Sequence, residues 1–84
     1  MAIYELGIRK EVLNFLVDGI YANCLNEAIL REHQSLGKMA MKIFYLRKDI
    51  RDAETMEELE IVNEKLMEYH KKLCKIESGE MPVD

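Results

Sequence analysis

At 84 residues the chain has room for one domain, and a domain of that size buries only about 60% of its unfolded surface, so its stability is modest or shared with a partner. A hydrophobic fraction of 49% beside 33% charged residues, with one proline and four glycines, argues against disorder and fits long helices. The formal net charge of −4 sets the molecule as a whole against nucleic acid and anionic membranes.

Two cysteines are too few for a disulfide framework. The first eight residues lack a basic region followed by an apolar run, and no stretch nears the roughly 20 apolar residues of a membrane span. These features predict a cytoplasmic protein with reduced thiols and no membrane partner.

The first helix is placed at about 8–32. In its first half Lys10, Glu11, Asn14 and Asp18 share one face, with Val12, Leu13, Phe15, Leu16 and Ile20 opposite. In its second half Asn23, Asn26, Glu27 and Arg31 are the polar face, and Tyr21, Cys24, Leu25 and Ala28 the apolar one. At about 100° per residue the two apolar faces point in different directions, with the change at Asp18-Gly19.

Three structures fit that change. Asp-Gly between Phe15-Leu16-Val17 and Ile20-Tyr21-Ala22 is a β-hairpin signal, but a lone two-stranded hairpin is marginal in water. A helix broken or bent near Gly19 ranks ahead of it, since a mid-helix glycine costs about 1 kcal/mol relative to alanine. The third is a straight helix that packs on the rest of the chain with one half. The other half then needs a cover, a second copy of the chain or a different protein.

Helix two, about 36–52, carries the apolar row Leu36, Met39, Ile43, Leu46, Ile50 and Ala53. Helix three, about 56–77, carries Leu59, Val62, Leu66, Tyr69, Leu73 and Ile76. Both rows step by three and four residues, and folding the second back on the first leaves no member without a partner. The architecture expected is all-α: three helices in a single domain over 1–84, the second and third a tight antiparallel coiled-coil-like hairpin. The first packs across the flank of Ala40, Phe44, Met67, His70 and Cys74.

Ser35 is the expected N-cap of helix two, and Thr55 with Glu58 is a capping box opening helix three. Glutamates at the start of helix three and lysines at its end suit the helix dipole. Ser78-Gly79 stops it, and 79–84 reads as a loose acidic tail.

No motif specifies a chemistry. His70 and Cys74 lie four apart on one helix face, which offers two zinc ligands, and Cys24 and His33 complete a set only if helix one brings them near. A buried cysteine acting as a small hydrophobe is the simpler reading. With no phosphate loop and no nucleophile-base constellation, no catalytic residue, metal or cofactor is assigned.

Helix two is the one basic segment, with Lys38, Lys42, Arg47, Lys48 and Arg51 against Asp49 and Asp52. The function expected is a non-catalytic protein–protein interaction module, a small acidic regulator, inhibitor or adaptor. Its contact surface is assigned to Tyr21, Leu25 and Ile29 on helix one and Met41, Lys42 and Tyr45 on helix two. The partners expected are another protein, with a basic nucleic-acid-binding protein suiting its charge, and a second copy in a homo-oligomer. The alternatives are a nucleic-acid-binding regulator that uses helix two as a dimer, and a structural oligomer or secretion-type chaperone.

Overall fold

Each helix ends where its backbone finds a cap. In a computed structural model describing residues 2–80 and 82, α1 spans Ala2–Arg31, α2 Gln34–Asp52 and α3 Met56–Glu77. α3 opens on the capping box: the Thr55 hydroxyl accepts from the Glu58 N–H at 3.1 Å. The Glu58 carboxylate reaches one residue further back than the usual box and accepts from the Glu54 N–H at 3.4 Å.

α3 closes at Gly79, which has φ +81°. The Gly79 N–H donates to the Ile76 carbonyl at 3.2 Å and the Glu80 N–H to the Lys75 carbonyl at 2.9 Å, the bond pair of a Schellman motif. The tail assigned to 79–84 otherwise falls largely outside the described residues.

α1 ends with the same bond pair, Glu32 N–H to Ile29 at 3.3 Å and His33 N–H to Ala28 at 3.1 Å. Here the left-handed residue is Glu32, with φ +52°, where a side chain costs about 1–2 kcal/mol. The turn leaves His33 extended, and its Nδ1 accepts from the Ser35 N–H at 3.2 Å. His33 is therefore the N-cap of α2, and Ser35, expected in that role, lies inside the first turn.

α1 is one unbroken helix of 30 residues that begins at Ala2 rather than near residue 8. Neither the β-hairpin nor a helix break at Asp18-Gly19 is present. Leu13, Val17, Ile20, Cys24 and Ala28 step by four, three, four and four residues, and all are buried. Burial of that straight row offsets the cost of Gly19. The early start follows from Glu5 in the first turn, which suits the dipole, and from Leu6, which packs against the core.

The α2 and α3 rows are buried throughout except Tyr69, which is half-buried against the same core. The two helices pack on each other, as their paired rows require. The closest pair, however, is α1 with α2 rather than α2 with α3. Buried Cys24, Ala28 and Ala40 are small, so the backbones approach until the Cys24 thiol donates to the Leu36 carbonyl at 3.3 Å. Leucines, isoleucines and valines keep α2 and α3 further apart.

The molecule measures 45 × 19 × 15 Å. At about 1.5 Å per residue α1 alone accounts for the long axis, and the 19-residue α2 reaches only about two thirds as far. Lys10 donates to the Arg51 carbonyl at 3.0 Å, which marks where α2 ends along α1. The two turns ahead of Lys10 run past it.

Candidate interaction surfaces

At 100° per residue, Ile8, Val12, Phe15, Gly19 and Ala22 lie on the side of α1 opposite its buried row. The large members are open to solvent: Tyr4 is 73% exposed, Val12 53% and Phe15 78%. Ile8 and Leu16 are exposed beside them, and Ile29 and Leu30 at the far end of the helix are 67% and 70% exposed. Together these side chains leave roughly 600 Å² of apolar surface in water. The largest patch on an ordinary monomer is about 300–600 Å² and is often functional. A stripe of this size down one side of a 30-residue helix is the candidate contact surface.

A second surface lies along the outer edge of α2. Tyr21 packs its ring on Phe44 at 5.2 Å between centroids, and Phe44 meets Tyr45 edge-on at 6.3 Å. Arg47 sits 5.9 Å over the Phe44 ring and pairs with Asp18. This aromatic ladder ties α1 to α2 and leads to Tyr45, which is 64% exposed. Beyond Tyr45 an open groove between α2 and α3 is lined by Lys42, Asp49, Lys65, Tyr69 and Lys72. Lys38 and Ser35 extend the same edge beside Lys42 and Lys72. Lys42 and Lys72 thus stand on one groove as like charges, the unfavourable pairing that an antiparallel register imposes.

The residues assigned to contact from sequence divide between these places. Ile29 lies on the outer stripe of α1. Lys42 and Tyr45 line the α2–α3 groove, and Met41 is exposed on α2. Tyr21 and Leu25 are half-buried against the core, because the close α1–α2 approach draws their side of the helix inward. Tyr4, Ile8, Val12, Phe15, Leu16 and Leu30 are the members that sequence reasoning missed. Their signal was present, since once the straight row through Leu13 and Val17 is assigned to the core, they are what remains.

The cysteines and histidines do not gather into one set. Cys24 is buried and donates to a carbonyl, and burial, with smaller contributions from Glu77 and Glu27, pushes its thiol up from 9.0 to about 11. Cys74 is exposed, 3.7 Å from the Nε2 of His70. Among the described residues no three of His, Cys, Asp and Glu come together as a metal site, and no helix is long and apolar enough to cross a membrane. Compared with known protein families, curated proteins and solved structures, the chain matches none.

Proposed function

We propose that this chain is a non-catalytic protein-binding module, a small acidic regulator or adaptor that works through the outer face of α1. The observation that carries this reading is the stripe from Tyr4 to Leu30, whose large apolar side chains are 40–78% exposed on a helix whose other face is already satisfied. Helix-on-helix docking reads such a face through anchors at i, i+3, i+4 and i+7. The occupant is a second copy of the chain, in a homo-oligomer, or a different protein, and a net charge of −4 suits a basic one. A cytoplasmic, reducing setting is consistent with both cysteines being free thiols.

The test is capture of partners from the native cell with the wild-type chain and with Phe15→Glu. Loss of one discrete partner, or of self-association, in the variant supports the reading. Equal binding by both forms overturns it.

One observation favours a second reading, a nucleic-acid-binding regulator. Lys38 and Lys42 of α2 and Lys65 and Lys72 of α3 line the two sides of one groove with Tyr45 and Tyr69, beside Asp49 and Glu68, and the cations and rings suit a phosphate backbone with unstacked bases. Gel shift of duplex and single strands across a salt series separates the two, because phosphate contacts weaken steeply with salt. A structural oligomer or secretion-type chaperone would use the α1 stripe as well, but would capture many clients where a regulator captures one.

A further inference from the structure

We propose that the outer face of α1 is covered by a second copy of this chain, laid antiparallel and fully overlapping, with Phe15 of each copy seated over Gly19 of the other. This names the partner for the contact face argued above and rests on that reading. Ile8, Val12, Phe15, Gly19, Ala22, Asn26 and Ile29 step by four and three without interruption, the repeat of a two-stranded seam. It is distinct from the row that α1 buries against α2 and α3.

The distribution of size along that seam selects the partner. Along the seam the bulky run Ile8, Val12 and Phe15 is followed by Gly19, Ala22 and Asn26, before Ile29 closes it. A Cβ placed on Gly19 would meet nothing within 4 Å, so the position is open space that the chain's own residues do not cover. Overlapping two antiparallel copies along their whole length sets Phe15 against Gly19, Val12 against Ala22, Ile8 against Asn26 and Tyr4 beside Leu30. Large meets small in the two central layers, Phe15 on Gly19 and Val12 on Ala22, and each contact occurs twice about the two-fold axis, which makes the centre of the patch self-complementary. Ile8 against Asn26 and Glu5 opposite Ile29 set polar against apolar groups, both toward the ends of the seam.

The flanks agree. Leu16 meets Leu16 of the second copy on one side of the axis, and on the other Asp18 meets Asp18, each already paired with Arg47 of its own chain. A parallel pair would stack Phe15 on Phe15 beside an empty Gly19 layer and set Glu5 against Glu5. Only Asn26 against Asn26 would favour it. The apolar area on the stripe, with its polar margins, approaches the roughly 800 Å² that each partner contributes to a stable interface.

The test uses the full chain in three arms. Sedimentation at micromolar concentration is expected to show a dimer, and a stable monomer overturns the proposal. Gly19→Leu adds bulk at this open position, where a Cβ meets nothing of its own chain, and improves helix propensity. It is expected to keep the circular dichroism and thermal unfolding of a folded protein while weakening self-association at least tenfold. A Gly19→Leu protein that dimerises like wild type overturns the packing. In a Cys74→Ser background, Leu16→Cys is expected to form a disulfide-linked dimer on oxidation and Ala22→Cys is not; the reverse result means a parallel pair and overturns the arrangement. A monomeric chain that still loses a discrete cellular partner on Phe15→Glu sinks the dimer and leaves the contact face standing, whereas loss of neither removes both.

Discussion

Along the inner face of α1, Leu13, Val17, Ile20, Cys24 and Ala28 taper in size toward the turn into α2 and are closed over by the other two helices. On the outer face, Tyr4, Ile8, Val12 and Phe15 are bulkier and stand in water. The two faces are both apolar, so hydrophobicity alone does not decide which is covered. The two-residue link leaves α2 little choice of side, and on that side the small residues Cys24, Ala28 and Ala40 let the two backbones lie close. The bulky face is left exposed to solvent.

That contrast can be broken most sharply by one charge on each face. Val17→Asp places an unpaired carboxylate at a fully buried site and is expected to cost more than about 4 kcal/mol, enough to unfold so small a domain. Urea melts or the loss of the helical circular dichroism signal check it.

The inner face is also expected to titrate, through Cys24. Its thiol is raised from 9.0 to about 11 in the fold, so the folded state holds the proton more tightly than the unfolded chain. Stability is therefore complete below pH 9 and falls as pH climbs toward 11, by about 2–3 kcal/mol. Cys24→Ala should remove that slope while leaving any shared alkaline loss from other groups, as denaturant melts from pH 8 to 11 would show. At pH 8 a thiol reagent is expected to modify Cys74 and spare Cys24 in the native protein.

The turn that chooses between the faces is itself strained at Glu32. Glu32→Gly relieves the left-handed conformation and is expected to stabilise the fold by about 1 kcal/mol, read as a higher urea midpoint with an unchanged slope. The smallest effect falls on the outer face. Phe15→Asp, 78% exposed before substitution, should change the stability of the isolated monomer by less than about 0.5 kcal/mol. A large loss there, measured at concentrations where the chain is monomeric, would mean that the outer face supports the fold and is no contact surface.

Much of the fold was legible from spacing. The rows through Leu36–Ala53 and Leu59–Ile76, the Thr55 cap and the Gly79 stop are local patterns, and each is realised because a helix face or a terminus depends on neighbours within a few residues. The first helix was harder because its apolar residues are not confined to one stripe: Val12, Leu13, Phe15, Leu16 and Val17 together cover about 200° of its circumference. A face is then defined by what packs on it, which lies far away in the chain. The contact residues followed the same division, with Ile29, Lys42 and Tyr45 found on open surfaces and Tyr21 and Leu25 drawn inward.

The sequence by itself determined that the chain is helical, where α3 starts and stops, and which rows of α2 and α3 turn inward, since these rest on periodicity and capping chemistry. Only the tertiary structure decided that α1 runs unbroken through Gly19, that α2 lies closer to α1 than to α3, and which apolar side of α1 stays in water. Those choices depend on how closely Cys24, Ala28 and Ala40 let two backbones approach. That is a property of side chains brought together from different helices, and no local stretch of the chain contains it.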